Sequence, residues 1–222
     1  MPEKMVEPTD ETRSRIELEA RDKRRLETFV DGVFAIAITL LGLDFVVPIL
    51  QHSNGALLVF LVSFLSKFFG YFLAFFLLGI LLNNNWRQFQ NIAFADWKLY
   101  YLNVLFLAFI VLVPFATTVW TEYPDTTVAV LFFNGVMLVA GLTLYANWWY
   151  VRRHPYLLKK GITTKTLKVI RYRNASLPIA SAVVIGLAFV APLLSTLAYT
   201  LIVLIMIMGH FSASRRASVA NP

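Results

Sequence analysis

The stretch Thr28-Phe29-Val30-Asp31-Gly32-Val33-Phe34-Ala35-Ile36-Ala37-Ile38-Thr39-Leu40-Leu41-Gly42-Leu43-Asp44-Phe45-Val46-Val47 decides how this chain is read. It holds no Lys or Arg and is closed by Pro48. As a helix it would be roughly 30 Å long, the thickness of a bilayer's hydrocarbon core. It therefore predicts a membrane-spanning helix, span 1. Its two acids, Asp31 and Asp44, are then the notable residues, because ionisable groups inside a span are functional candidates by default.

Outward from span 1 the pattern repeats. Residues 1–27 are polar, with seven Lys/Arg and eight Asp/Glu, and predict a cytoplasmic segment that is helical in part. This segment lacks the short apolar core and small-residue cleavage site of a secretory leader, so span 1 is expected to act as an uncleaved anchor. Span 2 is expected from Ala56 to Leu82, interrupted by Lys67 and ended by Asn83-Asn84-Asn85. Span 3 follows from Leu99 to Trp120 and span 4 from Thr127 to Tyr150, with Trp148, Trp149 and Tyr150 suited to an interfacial belt. Asn174 to Ser214 carries no charged residue and would be about 60 Å long as one helix, twice the core thickness. Pro192 near its middle predicts a tight hairpin between span 5, near 175–191, and span 6, near 195–212. The expectation is an all-α integral membrane protein with six transmembrane helices over 28–212 and a short cytoplasmic tail over 213–222.

Composition and charge agree. Of the 222 residues, 58% are hydrophobic and only 15% are charged, too few to cover a soluble fold of this size. There is no cysteine, which excludes disulfides and thiolate metal sites. The net charge of +7 would suit a nucleic-acid partner in a soluble protein. Here nineteen of the twenty Lys/Arg fall in the N-terminal segment, the 2–3 and 4–5 connections and the tail, and none in the other connections. That one-sided placement predicts cytoplasmic termini and six spans, with no nucleic acid as partner.

Arg25, Phe29, Asp31 and Phe34, followed by the Ala37-Ile38-Thr39-Leu40 run, resemble the signature of the transmembrane protein 175 family of potassium channels. Val30 stands where the family has Ser. Ser63-Phe64 in span 2, Asp96, and Asn103, Pro114 and Phe115 in span 3 extend the resemblance. Two departures stand out: Leu82 falls at a usual Trp, and Asn85 and Trp86 fall at a usual His-His pair. The animal lysosomal members carry two repeats of six spans, so this length is similar to a prokaryotic single-repeat member of the plasma (inner) membrane. The resemblance implies a homotetramer in which span 1 lines a central pore, with Ile36, Thr39 and Leu43 forming an apolar constriction. It implies potassium and other monovalent cations as permeant species and no cofactor. Gly32 and Asp44 would sit at the pore mouths, and Arg25, Phe29, Asp31 and Phe34 would form a structural network.

Helical geometry is compatible with those assignments. At 100° per residue, Gly32, Ile36, Thr39 and Leu43 fall within a stripe about 60° wide, and Asp31 lies roughly 140° from Ile36. An Ile36 ring would gate by dewetting, and Thr39 would offer hydroxyl oxygens. Blander readings stand beside these. Ile36 and Leu43 can be packing residues, Thr39 can bond its own helix, and Gly32 and Gly42 can permit close helix contact. Asp31 and Arg25 read better as a structural pair than as ion ligands. Asp44 reads equally as a mouth charge or a solvated helix end. Lys67 either pairs with Asp44 or, if span 2 starts near Ser63, reaches the outer interface, the preferred reading. The Phe60, Phe64, Phe68, Phe69 and Phe72 cluster reads as lipid-facing bulk. The basic 4–5 connection reads as a topology determinant, with membrane lipid headgroups as a secondary partner. His52, His154 and His210 are scattered and no catalytic constellation appears, so no enzyme is expected. A secondary cation transporter or exchanger is the alternative, but no internal repeat is evident.

Overall fold

The computed structural model describes residues 10–49, 53–189, 199 and 201. The Pro192 hairpin, span 6 near 195–212, the tail over 213–222 and the first nine residues lie outside the described residues. The rest is helical. Helix α1 runs Asp10–Leu40 and tightens into a 3-10 turn at Leu41–Asp44. The polar N-terminal segment and span 1 are thus one continuous helix, with no boundary at Thr28. Span 1 ends at Asp44 rather than Val47.

Span 2 divides differently from expectation. Helix α2, Asn54–Ser63, is capped by Ser53, whose hydroxyl accepts from Ala56 N at 3.2 Å. A second helix, α3, spans Leu65–Gln90. The break at Phe64 is shallow, since Phe64 N still donates to Phe60 O and Phe68 N to Phe64 O, both at 3.0 Å. No side chain of α2 is buried. The expected stop at Asn83-Asn84-Asn85 is overturned, because α3 continues through it to Gln90. Asn84, Asn85 and Gln88 are buried on its packed side, where amides bond across helices instead of ending one.

Helix α4, Trp97–Glu122, begins where the Asp96 carboxylate accepts from Leu99 N at 2.9 Å. Pro114 lies inside it and is buried. The Thr118 hydroxyl donates to Pro114 O at 3.1 Å and the Thr117 hydroxyl to Val113 O at 2.8 Å. Both are bonds back to the carbonyl one turn earlier, which satisfy an intramembrane hydroxyl within its own helix. Helix α5, Thr127–Arg153, ends on Arg152 and Arg153, favourable charges at a helix C-terminus. Helix α6, Thr164–Ala188, is capped by Thr163. It starts eleven residues before the expected span 5, so Lys165, Lys168, Arg171 and Arg173 lie on its first turns rather than in a loop.

Four helices are long and apolar enough to cross a membrane among the described residues: Arg21–Leu43, Lys67–Gln90, Trp97–Glu122 and Thr127–Arg153. Helix α5 packs most extensively, against α4 and α6, while α1 lies on α4 and α3. Phe34 of α1 meets Phe106 of α4 at 5.9 Å between ring centroids, and Trp120 stacks on Phe133 at 4.9 Å. Gly141 lets α5 and α6 approach, for a Cβ there would sit 2.8 Å from the Pro178 ring.

At one end of the bundle the 2–3 and 4–5 connections are joined through their backbones. Ala93 N donates to Leu157 O at 2.8 Å and Lys159 N to Asn91 O at 3.0 Å. Tyr150 and Tyr156 both donate to the Asp96 carboxylate, at 2.6 and 3.2 Å. Gly161, at φ +85, makes the left-handed turn that leads into α6.

Candidate pore-lining face of the first span

The packed side of α1 is built from Leu26, Val30, Phe34, Ala37 and Leu41, all buried. Their steps of three and four residues put them on one face of a helix. Gly32, Ile36, Thr39 and Leu43 point about 150° away from that face, and all four are exposed. Ile36 is 60% and Leu43 71% exposed, and Thr39 and Gly32 are exposed as well. An apolar stripe thus runs down the side of span 1 that its own chain leaves uncovered.

The Thr39 hydroxyl donates to Ile36 O at 2.9 Å. The blander reading of Thr39 is therefore met, with a useful consequence. Its proton is spent inside the helix, so only oxygen lone pairs remain to face outward. Asp44 closes the 3-10 turn, and its side chain lies outside the described residues.

The four motif residues do not form one network within the chain. Phe34 is fully buried, while Phe29 is 46% exposed, and Arg25 and Asp31 are exposed. No ion pair joins Arg25 to Asp31; the described ion pairs are Lys23 with Glu27 and Lys67 with Glu122. The helix explains the difference. Arg25 and Phe29 fall on the open side with Ile36, whereas Asp31 lies on a flank, about 120° from Arg25. Two open grooves border Arg25 and Phe29. One, of about 570 Å³, lies between α1 and the start of α4, with Asp22, Asp96, Trp97 and Tyr100 in its wall. The other, of about 590 Å³, follows α1 past Arg21, Arg24, Gly32 and Ile36.

Lys67 sits two residues into α3, and its described partner lies on α4, while the alternative pairing with the Asp44 side chain lies outside the described residues. Lys67 donates to the Glu122 carboxylate at the end of α4, and its ammonium lies 5.3 Å from the Phe64 ring centroid. Of the phenylalanine cluster, Phe64 is buried. Phe45 packs on Phe64, Phe68 and Tyr71 at 5.7, 5.0 and 5.0 Å. Part of the cluster is thus a clamp on the end of span 1 rather than lipid-facing bulk.

The sequence reading names Asn85 and Asn103 but misses the bond between them, and it misses Gln88. Asn85 Nδ2 donates to Asn103 Oδ1 at 3.1 Å, and Gln88 Nε2 to Leu144 O at 2.9 Å. Asn103 Nδ2 in turn donates to Leu99 O at 2.9 Å. At the two positions where the resemblance expects a His-His pair, Asn85 links α3 to α4 and Trp86 is exposed.

Four long apolar helices and an uncovered apolar face on the first of them define a multi-pass α-helical membrane protein. Residues 25–114 match the family described as endosomal/lysosomal potassium channel TMEM175. The chain is 33% identical to a potassium channel of Streptomyces collinus over 194 residues, covering 81% of this chain and 89% of that one. It is 30% identical to a potassium channel of Chamaesiphon minutus over 183 residues, covering 80% and 89%. The crystal structure of a lysosomal potassium-selective channel TMEM175 homolog from Chamaesiphon minutus superposes with a TM-score of 0.71 at 26% identity. That likeness covers 85% of this chain and 97% of the other. The crystal structure of a variant of the potassium channel MtTMEM175, bound to a nanobody fusion, shares the fold, with a TM-score of 0.60 at 16% identity over 86% and 93% of the two chains. The chain belongs to the TMEM175 potassium channel family.

Proposed function

We propose that this chain forms a potassium-permeable, moderately selective cation channel in a prokaryotic inner membrane, as a homotetramer with α1 around the axis. The observation that carries the reading is the apolar stripe of α1, with Ile36 60% and Leu43 71% exposed opposite a packed face. Uncovered apolar side chains at membrane depth need lipid, a partner or an axis. The bacterial relatives, both potassium channels, favour an axis.

Around such an axis the Ile36 ring replaces none of an ion's hydration shell. A narrow ring empties of water and stops conduction; a wider one passes a partly hydrated cation. Thr39, its proton already donated, presents only acceptor oxygens to the ion. This sparse coordination gives a preference for potassium over sodium without a carbonyl filter. Gly32 and Asp44 belong to the two mouths. Arg25, Phe29 and Asp31, uncovered in one chain, are placed where a neighbouring copy can cover them. Orientation is supported by the joined 2–3 and 4–5 connections, which gather the basic residues at one end, taken as cytoplasmic. No observation favours a transporter or exchanger.

Flux from purified protein in liposomes tests the reading, with potassium, sodium and caesium compared. Cation flux is expected, with potassium ahead of sodium. Ile36→Asn and Leu43→Ala are expected to raise flux or relax selectivity. Absence of flux from correctly inserted protein would remove the channel reading, and unchanged permeation in both variants would remove this face from the pore.

A further inference from the structure

A second concentration of charge lies away from the α1 face, where the last turn of α3 meets the first turns of α6. A cavity of about 400 Å³ there is lined by Arg87, Gln90, Lys165, Thr166, Val169 and Arg173, among others. Neither arginine has an acidic partner among the described residues. The Nε of Arg87 and the Nε and Nη2 of Arg173 are buried and donate to nothing. The carboxylate of the adjoining connection, Asp96, is already engaged by Leu99 N, Tyr150 and Tyr156. Burial lowers Arg173 to about 10, and the like charge of Arg87 pushes the same way. The group still carries its proton at neutral pH. Two partly desolvated guanidinium groups that repel each other, with buried donors unused, form a costly arrangement in the absence of an anion.

The surroundings narrow the chemistry of that anion. Guanidinium groups present planar donor forks that match phosphate oxygens, and a lysine adds a mobile charge. The N-terminal turn of α6 adds its partial positive charge to the same space. Ile170 forms a buried apolar wall, and Val169 is exposed beside it. We propose that Arg87, Arg173 and Lys165 hold a phosphate group, as carried by an anionic phospholipid headgroup at the membrane surface or by free phosphate. This site is separate from the α1 face and does not depend on the channel reading.

The test is binding to the purified full-length protein, read as a shift of thermal unfolding and as tryptophan fluorescence. Three probes are compared: dioctanoyl phosphatidic acid, dioctanoyl phosphatidylcholine and inorganic phosphate. Phosphatidic acid is expected to bind more tightly than phosphatidylcholine and to weaken as salt rises. Arg173→Gln is expected to weaken it about tenfold, the usual worth of a charge-assisted hydrogen bond. Lys165→Gln removes an exposed charge and is expected to weaken binding several-fold, which keeps the test open if the Arg173 variant folds poorly. Lys168→Gln, exposed on α6 and outside the cavity, is expected to change nothing. Competition by inorganic phosphate would assign the site to the free anion as well. Response to the lipid alone would assign it to the headgroup. Equal binding of the two lipids with no response to phosphate, or equal affinity of the Lys165 and Lys168 variants, would overturn the proposal.

Discussion

Asn103 shows how much a single polar residue can hold in a membrane bundle. It is buried, accepts from Asn85 and donates to Leu99 O. Asn103→Leu removes both bonds and strands the Asn85 amide. A loss of ~1–3 kcal/mol is expected, seen as a lower unfolding temperature in detergent, with Asn85→Leu/Asn103→Leu recovering part of it. The Lys67–Glu122 pair is a contrasting case. Both side chains are partly exposed, so Lys67→Gln should cost no more than about 1 kcal/mol. These residues also show what a sequence can and cannot reveal. The place of Lys67 near the start of a long apolar helix followed from where such a helix can begin. Its partner did not, since Glu122 lies 55 residues away and only tertiary packing brings it near. The Asn83-Asn84-Asn85 run reads as a stop in the sequence, because amides compete with the backbone of an isolated helix. In a bundle they pair instead, and no local signal separates the two outcomes.

At the scale of elements, helices α4 and α5 were legible to within three residues at each end. Each is an unbroken apolar run with a polar boundary: Asp96 caps the first and Arg152-Arg153 close the second. The α1 stripe was legible for the same reason, since a 3.6-residue period alone fixes which side chains share a face. The start of α6 was not, because its first turns are charged and carry no apolar period. The α5–α6 contact depends on Gly141, where an added Cβ would lie 2.8 Å from Pro178 Cδ and 3.1 Å from Pro178 N. A proline ring cannot swing aside. Gly141→Ala is therefore expected to separate the two helices and cost ~1–3 kcal/mol, read as reduced folded yield and a lower unfolding temperature. An unchanged temperature would mean that the two helices can slide apart freely.

At the scale of the whole molecule, the open side of α1 and the grooves beside it are incomplete surfaces. Only 28% of the most apolar window of α1 is buried within one chain, against 44–50% for the windows of α3, α4 and α5. A homotetramer would cover this deficit. Cross-linking in detergent is expected to run to four copies and no further. Asp31→Ala is expected to reduce assembly or folded yield, because its flank is free for a neighbour. A stable tetramer with altered selectivity alone would instead place Asp31 in the ion path.

The backbone bonds between Ala93 and Leu157 and between Asn91 and Lys159 have a mechanical implication. They clasp the 2–3 and 4–5 connections together at one end of the bundle, in addition to the packing of α4 on α5 along their length. At the other end α4 and α5 are joined by a short turn and by the Trp120–Phe133 stack. The clasp works as a staple that shields its own amides from water, so deuterium should enter last at the Ala93 and Lys159 amides among the connections.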